Sequence, residues 1–175
     1  MSRSVSLSGW VAVVLVGCIV VAQEPAKPGP EHEIFKELEG TWDAVIKSEG
    51  GQSTGVMTYK LECGGLWLCS DFKGDFGGTP FQGKGIDGYD TTKKKYVGVW
   101  VDSMSSAPMM MEGTYDAATK TGTMIGKGPG PDGKPATFKS VSVRKDRDHD
   151  TFTMSLVDPS GKDIPMLTIE YTRRK

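Results

Sequence analysis

Apolar and polar residues alternate with a period of two from Thr41 almost to the end of the chain. Trp42, Ala44 and Ile46, for example, are separated by other residues in the way that is typical of a β-strand with one buried face. Similar runs recur along the chain, separated by glycine, proline and aspartate, which favour tight turns between antiparallel strands. The pattern predicts ten strands, at residues 41–48, 54–62, 66–73, 80–88, 95–103, 108–115, 121–127, 136–145, 151–157 and 163–172.

One short helix is predicted immediately before the first strand. Ile34, Phe35 and Leu38 are spaced so that they lie on one face of a helix. Pro30 precedes this segment and Gly40 follows it, and these residue types favour a helix start and a helix end, respectively. The sequence therefore predicts an amphipathic helix that leads directly into a sheet.

The first 22 residues have the pattern of an export signal. Arg3 is followed by an almost unbroken apolar run from Trp10 to Val21, which is short for a membrane span and has the length of a signal-peptide core. Small residues before Gln23 predict cleavage there, so we expect an exported protein, periplasmic or secreted.

The sequence leaves two alternatives to cleavage, which are lipidation and retention of the segment as an uncleaved anchor. Residues 15–18 resemble a bacterial lipobox, in which the lipid on Cys18 would attach the protein to a membrane. Lipidation would leave the four apolar residues 19–22 after the cysteine, so simple cleavage is favoured. Residues 23–30 contain three prolines and are predicted to form a tether, and residues 31–175 are predicted to form one domain.

The composition favours a closed, thin-walled sheet. Apolar residues make up 37% of the chain and glycine contributes a further 23 of the 175 residues, which is enough for a globular fold but low for a sheet covered on both faces. We therefore expect an all-β protein, an antiparallel up-and-down barrel of about 8 to 10 strands, with a sandwich as the alternative. The net charge of −1 argues against a partner among nucleic acids or anionic membranes.

Three parts of the sequence resemble known families. The helix, Gly40-Thr41-Trp42 and the ending with Arg173 and Arg174 are similar to the lipocalin-like (calycin) barrels. The resemblance implies that Trp42 closes one end of the barrel and that one of the two arginines stacks across it. Three longer segments look like the bacterial family known as domain of unknown function 1579, which brings no established activity. These segments are 64–68, 88–103 and 161–174.

No catalytic, metal-binding or cofactor motif is found in the sequence. The spacing of Gly128 to Lys134 matches a phosphate-binding loop, but Pro135 replaces the hydroxyl residue and no helix is predicted to follow. Three alternating aspartates at 146, 148 and 150 lack the glycine and glutamate of a calcium loop. We therefore expect no cofactor and no metal, and an enzyme is less favoured than a binding protein.

The strongest candidate for a binding site is the strand that contains Trp100 and Asp102. Both of its faces carry apolar residues, so the strand is expected to be covered, and its aspartate is either structural or the polar anchor of a pocket. Met109 and Met111 share one strand face, which suits an adaptable pocket lining better than a copper site. With Trp67, these four residues form the predicted ligand-binding lining.

Three functions are compatible with these features. The leading hypothesis is a monomer that binds a small, largely apolar ligand inside the barrel. The alternatives are an envelope structural or interaction module with a packed interior, and a barrel enzyme that uses interior carboxylates. A pocket of about 300 Å³ would separate the first two, and a carboxyl group with a shifted pKa would favour the enzyme.

Overall fold

The computed structural model describes residues 24–175. A single turn of 3-10 helix, Pro30–His32, continues into the α-helix α1, Glu33–Leu38. The predicted signal peptide and its alternatives lie outside the described residues. Within those residues, no helix is long and apolar enough to cross a membrane.

Ten strands follow the helix and account for most of the remaining chain. They are β1 (Gly40–Ser48), β2 (Gly51–Glu62), β3 (Trp67–Phe76), β4 (Thr79–Asp90), β5 (Lys95–Asp102), β6 (Met109–Asp116), β7 (Thr121–Pro129), β8 (Pro135–Arg144), β9 (His149–Val157) and β10 (Asp163–Arg173).

The strands form one closed antiparallel barrel. Each strand pairs with its neighbour in sequence, and β1 also pairs with β10, which closes the sheet. The up-and-down barrel predicted from the sequence is confirmed, and the sandwich alternative is wrong. Closure pairs every strand on both sides, so the described sheet has no free edge.

Aspartates fix several of the tight turns as their positions in the sequence indicate. Asp90 accepts hydrogen bonds from the backbone N–H groups of Thr92 and Lys93, and Asp116 binds the turn between β6 and β7 in the same way. A carboxylate that accepts bonds from the two following amides holds the chain in a reversal. The predicted hairpin turns are confirmed at these positions.

One side of the barrel interior is packed into a hydrophobic core. Trp42 and Ile46 of β1 are 1% and 0% exposed, and they pack with buried residues of the adjacent strands β2, β3 and β10. The remaining buried members of this cluster are Ala44, Met57, Phe72, Ile169 and Tyr171. Together with the strand register, these buried residues show which residues of β1, β2, β3 and β10 point inward.

The helix closes one end of the barrel. Phe35 is buried with its ring edge-on to Tyr96, at a distance of 5.8 Å between centroids, and the Tyr96 hydroxyl donates to the carbonyl of Glu31. The Trp42 indole N–H donates to the carbonyl of Leu38 at 2.8 Å. We call this the closed end. The opposite end, where the β5–β6 loop lies, is not covered by a helix in the described chain, and we call it the open end.

Candidate functional site

Four of the five predicted lining residues lie together on the inner wall near the open end. Trp100 and Asp102 are on β5, and Met109 and Met111 are on the adjacent strand β6. In the strand register Trp100 is opposite Met109. All four side chains are partly exposed although they point inward, and Trp100 also packs against the buried cluster around Trp42. The interior is thus fully buried around Trp42 and only partly buried around Met109 and Met111.

Glycines on β4 give the Trp100 ring its position. A Cβ atom at Gly83 would lie 2.1 Å from the Trp100 ring, and one at Gly85 would lie 3.2 Å from it. The ring therefore lies flat over a part of the wall that has no side chains. Met109 and Met111 cover Gly126 of β7 in the same manner. The large side chains on this wall therefore lie over glycines of the neighbouring strands.

Asp102 is held by hydrogen bonds at the open end. Its carboxylate accepts one bond from the Trp100 indole N–H and another from the Met104 backbone N–H, each 2.9 Å long. Because both oxygens have donors, this aspartate orients the Trp100 ring and fixes the start of the β5–β6 loop. Its role as a polar anchor for a ligand stays a prediction.

Trp67 lies on the outer surface of the barrel, which corrects its expected place in the lining. It is 38% exposed, whereas its neighbour Leu68 on β3 is buried. Its ring covers Gly88 of β4 from the outside. The side chains of Leu68 and Trp67 point to opposite faces because successive residues of a strand do so. Trp67 therefore does not join the other four residues.

Asp87 is the inward residue that the sequence analysis missed. It is opposite Gly98 of β5, and a Cβ atom there would lie 2.2 Å from its Oδ1. Burial raises its pKa from 3.8 to about 7, and neither a hydrogen bond nor a nearby cation lowers it again. Within residues 24–175 the carboxyl group has no hydrogen-bond partner, yet its oxygens are not sealed from solvent. Asp87 therefore faces the lumen.

Aromatic rings lie between Asp87 and the helix. Tyr89, two residues further along β4, packs edge-on to Tyr96 with 5.2 Å between the ring centroids, and also contacts His32 of the 3-10 turn. Burial and the nearby acidic Glu31 raise the pKa of Tyr96 to about 12. These rings form the floor of the lumen at the closed end.

Two further tyrosines and an ion pair lie on the far side of the lumen. Burial raises the pKa values of Tyr59 and Tyr171, and the negative charge of Asp150 raises both further. Asp150 accepts a hydrogen bond of 3.2 Å from Arg144 Nε, and both side chains are buried. Burial still keeps the pKa of Asp150 above its usual value in spite of the arginine. The charges of this pair are therefore balanced without a ligand.

Arg173 makes the arginine contact that the lipocalin resemblance assigns to either terminal arginine. Its guanidinium carbon lies 4.1 Å from the centroid of the Trp42 ring, and Arg144 lies 5.6 Å from the same ring. Arg173 also donates hydrogen bonds to the carbonyls of Glu37 and Glu39. Arg174 points outward and pairs with Asp43. Strand alternation explains the difference, because Arg173 is opposite the inward residue Trp42.

Two surface pockets lie outside the lumen. One of about 530 Å³ lies between the helix and the barrel wall and includes Lys36 and Arg147. The other, of about 320 Å³, lies on the outer face of β2, β3 and β4 and includes Cys69 and Ile86. Neither includes a residue of the predicted lining. Within residues 24–175, the histidine, cysteine, aspartate and glutamate side chains form no group of three that could hold a metal ion.

Comparisons with known proteins agree with this architecture. The crystal structure of Rv2717c from M. tuberculosis has a TM-score of 0.64 at 13% identity, over 84% of this chain and 99% of that chain. The S-type phycobiliprotein lyase CPES from Guillardia theta has a TM-score of 0.51 at 11% identity, over 85% and 99% of the two chains. At such identities the likeness shows the fold alone, and no curated protein matches the chain.

The family is shown by sequence. A family model described as "Protein of unknown function (DUF1579)" matches residues 27–173, which cover the helix and all ten strands of the barrel. The resemblance seen in the sequence is therefore confirmed, and so is the lipocalin-like architecture that it implies. The chain belongs to the DUF1579 family of proteins of unknown function, and its fold is a closed lipocalin-like barrel.

Proposed function

We propose that the barrel binds a small, largely apolar ligand in its lumen, which the ligand reaches from the open end. The observation that carries this proposal is the contrast between the two sides of the interior. Trp42 and its cluster are buried, whereas Trp100, Met109 and Met111 keep part of their surface exposed although they point inward. Inward apolar surface that remains accessible is surface that a ligand can cover.

The residue types on this wall suit such a ligand. Trp100 offers a flat aromatic face that its glycine neighbours and Asp102 hold in place. Methionine side chains are unbranched and polarisable, so Met109 and Met111 adapt to ligands of different shape. Each Å² of apolar surface that becomes buried contributes about 25 cal/mol, so the affinity depends mainly on how closely the ligand matches this wall.

The barrel enzyme is a second candidate, and Asp87 is the observation that favours it. A carboxyl group with a pKa of about 7 can both donate and accept a proton near neutral pH. Its closest inward neighbours across the strands are Leu68 and Gly98, which cannot take part in proton transfer. Binding therefore accounts for more of the site than catalysis does. Both pockets described above lie outside the lumen, so the packed structural module stays an alternative, and the dye experiment below separates it from ligand binding.

We also propose that the protein acts outside the cytoplasm, either in the periplasm or after secretion, as a monomer. The support for export is the apolar run from Trp10 to Val21, and the support for a monomer is the closed barrel, which offers no strand edge to a second copy. Membrane attachment would require the lipid on Cys18.

A pair of adjacent methionines provides the test of ligand binding. Met111 points into the lumen, and its neighbour Met110 points outward and is 61% exposed. We expect the neutral dye Nile red to bind the wild-type protein and to fluoresce more strongly. Replacing Met111 by tryptophan should fill the lumen and weaken binding by about tenfold or more, whereas Met110→Trp should change the affinity by less than about twofold.

Circular dichroism of both variants shows whether the barrel is intact. The proposal fails if wild-type protein does not bind the dye, or if Met111→Trp and Met110→Trp bind it equally well. If the dye binds as expected, native mass spectrometry of protein purified from its own host should identify a natural ligand that co-purifies.

A further inference from the structure

We propose that Asp87 is the polar anchor of the lumen and that it selects amphiphilic amines, ligands that carry a protonated amino group on an apolar body. This inference rests on the proposed function, because the apolar body is held by the wall described above. It adds the chemical class of the ligand and the residue that recognises it.

The position of Asp87 relative to the wall carries the first step. Trp100 is opposite Gly85 and Asp87 is opposite Gly98, so the carboxyl group lies one inward position deeper than the indole ring. Met111 is opposite the same Gly98 from the other side. Inward positions on one strand are spaced by about 7 Å, which is the length of a small amphiphile from its apolar ring to its amino group. A ligand in contact with Trp100 therefore reaches Asp87.

The second step is that Asp87 is the inward carboxyl group still available for pairing. Asp102 accepts hydrogen bonds from Trp100 and Met104, and Asp150 is paired with Arg144. Asp87 accepts no hydrogen bond from a protein group within residues 24–175. A partly buried carboxylate without a protein partner is available for a ligand that brings a cation and N–H donors, because charge-assisted hydrogen bonds are strong.

The surroundings of Asp87 favour a cation over other ligand groups. Tyr89 and Tyr96 lie below it and Trp100 lies above it, and the faces of aromatic rings attract cations. Arg144 is already paired with Asp150 and Glu37, and Arg173 donates to the carbonyls at the end of the helix. Among the described residues, the inward arginines therefore leave no uncommitted cation that would attract an acidic ligand. Tyr59 faces the same space. Burial and, to a smaller extent, the negative charges of Asp150 and Asp87 raise its pKa, which keeps its hydroxyl neutral.

The titration of Asp87 makes the inference sensitive to pH. Burial places its pKa at about 7. An ammonium group pairs with the ionised carboxylate, so the affinity for an amine should rise between about pH 5.5 and about pH 8. The other charged or ionisable side chains that point into the described barrel or lie at its closed end are Tyr59, Tyr89, Tyr96, Asp102, Tyr115, Arg144, Asp150, Tyr171, Arg173 and His32. His32 lies behind the Tyr89 ring, so His32→Gln should leave the pH dependence in place.

A matched pair of probes tests the inference by calorimetry. The probes are 1-naphthylmethylamine and 1-naphthylmethanol, which share the apolar ring and differ in the amino group. For wild-type protein at about pH 8, we expect the amine to bind about tenfold or more tightly than the alcohol, with the preference lost at about pH 5.5. In Asp87→Asn the ratio of the two affinities should be close to one at both pH values.

Asp71 supplies the control. It lies on the outer face of β3 and pairs with Lys84, so Asp71→Asn removes one negative charge from the same region without touching the lumen. This variant should keep the wild-type ratio at both pH values. Circular dichroism again shows whether each variant is folded.

The outcomes separate this inference from the proposed function. If the alcohol binds but the amine is not preferred, or if the preference persists in Asp87→Asn, the anchor is wrong and the apolar site remains. An amine affinity that increases toward low pH would also overturn it, because the ionised carboxylate of Asp87 would then not be the group that holds the ammonium ion. If neither probe binds wild-type protein, both proposals fail.

Discussion

Trp42 is held on several sides at the closed end of the barrel. Its indole N–H donates to Leu38, the guanidinium of Arg173 stacks on its ring, and it is 1% exposed. The same arginine binds the carbonyls of Glu37 and Glu39 at the end of the helix. These contacts join the first strand, the last strand and the helix through one side chain.

Replacing Trp42 by alanine should lower the free energy of unfolding by about 3 to 5 kcal/mol, because buried apolar surface is lost and a cavity remains. Replacing Arg173 by lysine should have a smaller effect, since the planar guanidinium is lost but the charge is kept. Urea titrations measure both changes.

Arg174 is the control for these variants. Its side chain is 50% exposed and pairs with Asp43 outside the barrel, so Arg174→Lys should change the stability by less than about 0.5 kcal/mol. A change of under about 1 kcal/mol for Trp42→Ala would show that this residue does not close the barrel.

The stability of the protein should depend on the ionisation of Asp87. Its pKa in the folded state, about 7, is higher than its usual value of 3.8, so the folded state binds a proton more tightly than the unfolded chain does. Stability from this group is therefore present at low pH and is lost as the pH rises from about 4 to about 7. Asp87→Asn should be more stable than wild type by about 2 to 4 kcal/mol near pH 8, and the difference should narrow toward pH 5.

Urea titrations across this range, with Asp132→Asn in the β7–β8 loop as a control, measure the effect. Parallel stability profiles for wild type and Asp87→Asn would mean that Asp87 is solvated in the folded protein.

How well the sequence predicts the direction of a side chain differs from residue to residue, and the reason is physical. Trp100, Met109 and Met111 share the inner face, as alternation within each strand indicates, and their contact with a ligand stays a prediction. Asp87 was missed because the two inward positions before it on β4, Gly83 and Gly85, have no side chains and weaken the alternation. The registers with β3 and β5 show which way it points.

Trp67 shows the opposite error at the same scale. It was predicted to line the interior, but Leu68, Ser70 and Phe72 are the buried residues of β3. The charged residues Asp71 and Lys73 alternate with them. Trp67 is an even number of residues from Asp71 and Lys73, so it points to the same face of β3 as these charged residues. Counting from Phe72 would therefore have placed it outside, so this signal was present in the sequence.

At the scale of elements, the short helix acts as a lid that is anchored by one ring. Phe35 is buried against Tyr96 and His32, while the adjacent Lys36 is exposed and pairs with Glu33. A helix of six residues has little stability of its own, so its position depends on this packing.

Phe35→Ala should lower the free energy of unfolding by about 3 to 5 kcal/mol and should accelerate amide hydrogen exchange around Tyr89 and Tyr96, where the floor of the lumen would loosen. Lys36→Ala, the neighbouring control, should change the stability by less than about 0.5 kcal/mol. Unchanged exchange in Phe35→Ala would show that the helix does not seal this end.

The strands were predicted in number and order, and they differ from the structure at their ends. β2 begins at Gly51 and not at residue 54, and β3 continues to Phe76 and not to residue 73. Glycine and aspartate in these stretches indicated turns. In the closed barrel each strand has partners on both sides, and this pairing extends strands beyond the point where the local sequence favours them.

At the scale of the whole molecule, the prediction of export determines where the mature chain begins. N-terminal sequencing of the protein from its own host should give a chain that begins near Gln23, because small residues precede that position. A diacylglyceryl group on Cys18 would show that lipidation is the correct alternative, and an intact Met1 would show that the segment is retained.

The closed end also sets the direction in which a ligand bound as proposed would move. The helix and the tyrosine rings block one end of the described barrel, so its amino group would go in first and come out last. A ligand longer than the barrel is deep would leave its other end in solvent, beyond the β5–β6 loop.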